Sequence, residues 1–311
     1  MNVYRIKLKP QTRWRSPWHA DTLTGMLYGT AANYFGEDFL TSRIISPALS
    51  GVPPFVLSDA FPEELLPIPL SVRSENWPDE ARRKVKKSRW LTQLAFGKVQ
   101  RGGELEATEL LEDASAHTVN HIHVTLDRLS DRAEDQSLQN AEETFSATSY
   151  LSVYARIEPG FVKIASELFR SLSLTGFGAD VSTGAGQFEV LSEFEPFNQL
   201  DDVNQASGAV ILSTFQPSRT DPTDGVWDVF TKYGKIGPSF GLASVFKRPF
   251  IMLRPGTCFK ASPPRPYYGR VIPMCEFADT ETIDKLQKDG INLVHPAFGL
   301  SVPIKFKGGK L

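Results

Sequence analysis

The chain has 311 residues, a formal net charge of −2 and two cysteines. That length suits two domains, each able to bury a core without disulfides. Cys258 and Cys275 alone exclude a disulfide framework or a cysteine-rich zinc module, and the near-neutral charge excludes a uniformly basic nucleic-acid coat, so an anion-binding surface must be local. No apolar run approaches the roughly 18–20 residues of a membrane span. MNVYRIKLKP opens on a strand pattern rather than an export signal, which points to a cytoplasmic protein with no membrane partner.

Tyr4, Ile6 and Leu8 alternate with Arg5, Lys7 and Lys9, the two-residue period of a half-buried strand. The loop TRWRSPWH follows. Its Trp14, Arg15, Trp18 and His19 mix rings and cations suited to splayed bases, with core packing of the tryptophans as the alternative. His19 is also the natural general acid or base if the chain cleaves RNA without a metal. Asp21 is placed to cap a helix carrying Leu23, Met26, Leu27, Ala31 and Tyr34 at helical spacing.

A long insertion spans 71–148. From Arg82 to Arg101 it carries eight cations and no carboxylate. Val85 and Trp90 interrupt the charge, so the run reads as a strand or hairpin in which Lys84, Lys86, Lys87 and Arg89 meet phosphates while Trp90 stacks on a base. A solvated charged face is the alternative. The absence of a helix-turn-helix or zinc-finger pattern favours single-stranded RNA over duplex DNA. His117, His121 and His123 lack cysteine or carboxylate partners at ligand spacing, so they predict a polar edge strand, not a metal site.

A second strand–helix unit begins at Leu151, Val153, Ala155 and Ile157, turns at Glu158–Gly160, and continues through Phe161, Ile164, Ala165, Leu168 and Leu172 at helical spacing. GFGADVSTGAG then runs into the strand QFEVL. Gly176, Gly178, Gly184 and Gly186 allow backbone N–H groups to converge on phosphate, and Ser182 and Thr183 add hydroxyls. A helix C-cap and turn is the plainer alternative. The order helix, loop, strand reverses that of Rossmann and Walker loops, so no nucleotide cofactor is expected. HExxH and GxSxG are absent as well, which removes the common hydrolase signatures. Two strand–helix units separated by further strands predict an α+β fold with a split βαβ, ferredoxin-like sheet over 1–200, and the strands and turns from Gly208 onward predict a β-rich, degenerate second module over 201–311.

Eight segments occur in a telling order: HADTLTGML, PFVLSDAFP, LPIPL, KVKKSRWL, LDR, GFGADVSTGAGQFEV, FIMLRPG and HPAFGLSVPI. Together they resemble the RAMP superfamily, and within it the fourth subunit of the type III-A CRISPR Csm effector complex. The resemblance implies two ferredoxin-like, RRM-related modules, an inserted basic β-hairpin thumb containing Lys84–Trp90, and a guide-RNA-contacting loop at Gly176–Gly186, with Phe177 available to stack. It adds Ser58 and Asp59 as RNA contacts or a capping turn, and Arg254 as an RNA contact. The implied partners are the 5′ handle of the CRISPR RNA, the repeated RAMP backbone subunit and the large polymerase-like subunit, with target RNA met only indirectly. No catalytic residue, metal or cofactor is implied. The alternative is a metal-independent RAMP endoribonuclease that processes precursor CRISPR RNA through His19.

Overall fold

In the computed structural model, residues 1–123, 126–127, 132–133, 139–237 and 246–307 are described. Arg128 of the LDR segment lies outside them. Strand β1 (Asn2–Pro10) follows the alternation of its sequence, with Ile6 and Leu8 buried on one face. Helix α1 (Ala20–Phe35) buries Leu23, Leu27 and Ala31, spaced one turn apart, and stops at Gly36, whose φ of 90° suits glycine. Its N-terminus is not capped by Asp21. The Ala20 N–H donates instead to Asp59 Oδ1 at 2.8 Å, from strand β2 (Phe55–Pro62).

The basic run corrects the sequence reading. Asp79–Lys87 is a helix, α2, followed by the short strand β3 (Ser88–Thr92) and helix α3 (Gln93–Gln100). Pro78 precedes α2, Asp79 and Glu80 occupy its first turn, and Lys84, Lys86 and Lys87 its last, which complements the helix dipole at both ends. The β-hairpin of the insertion lies further on, pairing β4 (Ala116–His123) with β5 (Gln139–Ser146) from Ala116↔Ser146 to His123↔Gln139. It is tied to the first loop by reciprocal bonds between Trp14 and Thr144 backbones, each 2.9 Å, and by Arg13–Glu143 at 2.6 Å.

Strand β6 (Leu151–Ile157) is buried at all seven positions, helix α4 (Val162–Thr175) packs beside α1, and β7 (Phe188–Val190) closes the first sheet. The strand order is β7-β1-β6-β2, every pair antiparallel. One face carries α1 and α4, where Leu168, Phe169 and Leu172 join Ile6, Leu57 and Val153; each such side chain contributes about 1.5–3 kcal/mol on burial.

The opposite face of that sheet packs on a second one, built from β8 (Gly208–Ile211), β9 (Gly225–Val226), β12 (Cys258–Lys260), β13 (Tyr267–Pro273) and β14 (Val294–Ile304) in the order β9-β12-β8-β14-β13. Val3, Val56 and Tyr154 meet Val210, Leu300 and Val302 there. Arg156 crosses the same junction, buried, donating to the Ser301 carbonyl and to Asp201. A separate hairpin pairs β10 (Val229–Lys232) with β11 (Phe250–Leu253), bridging through Leu253 to Phe215 and through Lys232 to Asp21 of α1. Helix α5 (Thr280–Lys288), capped by Asp279 on the Thr282 N–H at 2.7 Å, connects β13 to β14. The sequence reading had strands and turns across that stretch. Among the described residues no helix is long and apolar enough to cross a membrane.

Candidate nucleic-acid interface

The turn after β1, the end of β2 and the segment around β3 leave a cavity of 460 Å³ between them, within the range of about 300–1,000 Å³ usual for ligand pockets. Four arginines line it: Arg15 from the first loop, Arg73, Arg89 from β3, and Arg254 just after β11. They come from chain segments far apart in sequence. Arg254 Nε is 3.1 Å from Asp228 Oδ2, and its guanidinium lies 4.4 Å from the Phe230 ring centroid.

Arg73 and Arg89 are matched differently. Burial, followed by the like charge of Arg89, pushes the Arg73 guanidinium below its ordinary pKa. Asp228 works in the opposite direction on Arg73 but sits in ion-pair contact with Arg254. Arg73 donates to the Ser88 carbonyl at 2.6 Å, and its buried Nε–H has no acceptor among the described residues. Asp113 on the same cavity wall attracts Arg89, but the like charge that Arg89 exerts on Arg73 and the unspent Arg73 donor leave a site that an anion would stabilise.

The tryptophans of the first loop are core residues. Trp18 stacks on Phe177 at 4.0 Å between centroids and 14° between planes, Trp14 meets Trp18 edge-on, and all three are buried. A base therefore cannot lie on their faces without dismantling the core, which corrects the stacking role read for Trp14, Trp18 and Phe177. Trp90 differs in being half-buried at the cavity wall, edge-on to Phe61.

Ser58 and Asp59 are likewise interior. The Ser58 hydroxyl donates to the Asp59 carbonyl and accepts from the Tyr154 N–H. Asp59 Oδ1 accepts from the N–H groups of Ala20 and Thr214, and Oδ2 from the Thr214 hydroxyl at 2.7 Å. Its carboxylate fastens α1 and the segment after β8 to β2. Both residues sit inside strand β2, so the capping turn read for them is corrected to a long-range tie, and Asp59 also lines the cavity.

The glycine loop is built inward. Gly176, Gly178, Gly184 and Gly186 all have positive φ, as does Asp180 at 61°. The N–H groups of Gly176, Phe177, Gly178 and Ala179 donate to the Leu172 carbonyl, the Gly186 carbonyl, Met26 Sδ and Ser16 Oγ. Those of Thr183, Gly184, Ala185 and Gly186 go to Asp180, Val181, Asp180 and Arg13 carbonyls. Eight amides of the loop are thus already spent, so its two arms form a structural clasp and only the amides of the tip, at Asp180, Val181 and Ser182, stay outside that set. Ser182 and Thr183 remain exposed at its tip, and Asp180 ion-pairs with Arg15 at the cavity rim.

Beneath the cavity lies a chain of matched polar groups. Lys232 Nζ is 2.6 Å from Asp21 and 2.9 Å from the Thr22 hydroxyl, while His295 Nε2 is 2.9 Å from Asp21 Oδ2 and Lys247 Nζ is 3.0 Å from His295 Nδ1. Lys247 can only donate and Asp21, ionised, only accept. His295 is therefore neutral with its proton on Nε2, accepting from Lys247 and donating to Asp21. Burial lowers the His295 pKa, in keeping with that state. Despite its own desolvation, Asp21 is held well below the usual carboxylate range by Lys232 first and then His295. Burial drops Lys247 to about 8. His19 is also lowered chiefly by burial, and its Nδ1 lies 3.5 Å from Lys232 Nζ.

The cavity thus gathers Trp14, Arg15, Trp18, His19, Asp59, Arg89, Trp90 and Arg254 along its walls. It leaves out Lys84, Lys86, Lys87 and the glycine loop. Arg73 was missed by sequence reasoning because it is a lone cation in the apolar stretch LSVR, with no local pattern to single it out. Of the histidines in the hairpin, His117 stacks on Phe145 and His121 lies 3.6 Å from Glu143.

An α+β architecture of antiparallel sheets with two helices on one face of the first defines the class of fold. The same fold occurs in a chain of the solved Csm1–Csm4 cassette in complex with pppApA, with a TM-score of 0.63 and 19% identity over 99% of each chain. A chain of that cassette in complex with AMPPNP gives 0.63 and 20% over the full length of both. A chain of the Csm3–Csm4 subcomplex in the type III-A CRISPR-Cas interference complex gives 0.61 and 13%, over 97% of this chain and 99% of the other. No family model and no curated protein matches the sequence. At these identities the likeness establishes a shared fold.

Proposed function

We propose that this chain is a non-catalytic RNA-binding subunit of a type III-A CRISPR effector complex, acting in the cytoplasm and holding the unpaired 5′ handle of the guide RNA in the arginine-lined cavity. The observation that carries this reading is the meeting of Arg15, Arg73, Arg89 and Arg254 along one cavity, with burial and the like charge of Arg89 both acting on Arg73 and the Arg73 Nε–H left without an acceptor among the described residues. A phosphodiester supplies further negative charge and acceptors, and half-buried Trp90 on the same wall offers a stacking edge for an unpaired base. Arg15 and Arg254 extend the cationic rim.

The first sheet supports a ferredoxin-like, RRM-related module over 1–200: its strands run fourth, first, third, second, with helices after the first and third. The second sheet, over 201–311, has its only described helical connection between β13 and β14 and reads as a degenerate copy. The hairpin of β4 and β5 is then the projecting thumb. Docking to the repeated backbone subunit on one side and the large polymerase-like subunit on the other completes the assignment, in line with the assemblies in which the fold occurs.

The test is to purify the tagged chain with its natural assembly and sequence the ends of the bound RNA. A common 5′ end is expected, and Arg89→Ala combined with Arg254→Ala should lower RNA retention at least about tenfold while the protein subunits still co-purify. Random RNA ends, or full retention in the double variant, would refute the reading. Cleavage of repeat RNA by the purified chain alone would refute its non-catalytic part and return His19 to consideration.

A further inference from the structure

Arg73 belongs to two hollows at once. The second, of 440 Å³, lies against α2 and is lined by Arg73, Arg82, Lys86, Val85, Glu75 and Asn76 with the ring of Trp77. Arg82 and Lys86 stand one helical turn apart, on the face that also buries Val85. Arg83 and Lys87 stand one turn apart on the same helix but line neither hollow. Arg82 keeps an exposed pair with Asp79 at 3.0 Å, of a kind worth little against solvent.

We propose that this hollow is a second nucleotide subsite, taking the next residue of the same unpaired strand. The proposal rests on the arginine cavity being an RNA site. Arg73, shared by both hollows, would hold the phosphate between the two nucleotides through the part of its guanidinium that lines them. Arg82 and Lys86 then meet the following phosphate. Glu75 would repel a phosphate, and its carboxyl is pushed up chiefly by burial. It therefore belongs on the base side. Together with Asn76 it offers the donors and acceptors that recognise the edge of an unstacked base. The floor is closed by Trp77, buried and committed through its indole N–H to the Val72 carbonyl at 2.8 Å.

Two exposed pairs on one helix provide the test, because they change the same charge on different faces. RNA retention by the assembled complex is measured across a salt series for Arg82→Ala with Lys86→Ala, and for Arg83→Ala with Lys87→Ala. The first double variant is expected to lose about tenfold in retention and to flatten the salt dependence by about 0.7 for each phosphate it no longer neutralises; the second should stay within about twofold of the parent. Equal losses from both would mean diffuse attraction to the helix and overturn the subsite. So would loss of a co-purifying protein, rather than RNA, from the first variant, since the hollow would then serve an acidic partner. If the first variant retains RNA while Arg89→Ala releases it, the subsite fails and the cavity reading stands; if Arg89→Ala also retains it, both fall.

Discussion

The glycine loop and the arginine cavity are two places that could hold a phosphate, and they differ in how far their polar groups are already used. The loop has the sequence appearance of an anion cradle, yet its amides on both sides of the tip are donated to Leu172, Gly186, Ser16, Asp180 and Arg13. The cavity gathers Arg15, Arg89 and Arg254, which the sequence offered singly as RNA contacts, with Arg73, which it did not, and leaves the Arg73 Nε–H without an acceptor among the described residues. A binding site is marked by polar capacity the fold leaves unsatisfied, because a satisfied donor must break one bond to make another and gains little.

The largest expected effect probes the loop. A side chain at Gly186 would collide with the Phe177 carbonyl oxygen at a φ of 70°, whereas nothing lies within 4 Å of where a Cβ would sit at Gly184. Gly186→Ala should destabilise the protein by at least about 3 kcal/mol, and Gly184→Ala by only about 1–2 kcal/mol from the left-handed backbone. Thermal unfolding of the two variants measures both. If Gly184→Ala folds normally but sheds RNA from the complex, the loop would regain the role that its internal bonding argues against.

A middle-sized effect tests the matched charges below the cavity. Lys247 titrates near 8 in the folded chain against an ordinary 10.5, so between those values the unfolded chain binds more protons and stability rises with pH. The slope from this group alone is at most about 1.4 kcal/mol per pH unit. A neutral amine can still donate to His295, so that contact does not require the charge. Lys247→Met removes the titrating group and should remove that rise, seen as urea midpoints of variant and parent diverging steadily from pH 8 to 10. Parallel curves would mean that Lys247 titrates normally and is more open to water than its contacts with His295 and Phe277 indicate.

The same distinction explains what the sequence could reveal. Strand β1 and helix α4 were legible because their apolar periods arise locally and each buries one face. The second buried face of β6, with Tyr154 and Arg156, was not legible, since only a second sheet arriving from residues beyond 200 covers it. Helix α2 was misread because charge density was weighed ahead of the Pro78-Asp79-Glu80 start signal. The glycines correctly marked unusual backbone, but sequence cannot say where N–H groups point. Arg73, Arg89 and Arg254 meet only through tertiary folding, and Asp59 reads as a polar turn residue until Ala20 and Thr214 are brought to it.

The smallest effect lies where the two regions touch. Arg15 lines the cavity and ion-pairs with Asp180 of the glycine loop, both side chains partly open to solvent at 36% and 42%. An exposed pair of this kind contributes about 0–1 kcal/mol to stability, so Asp180→Asn should leave the unfolding temperature almost unchanged. Its electrostatic consequence has a definite sign: removing the carboxylate frees Arg15 to face the cavity and removes a charge that repels phosphate. RNA retention should therefore tighten by about two- to fivefold at low salt, an advantage that fades as added salt screens the rim. Arg15→Ala should weaken retention by a similar factor. If Asp180→Asn instead loosens the RNA, the Asp180 carboxylate orients Arg15 for binding, and the loop acts on the site by positioning a cation instead of by offering its amides.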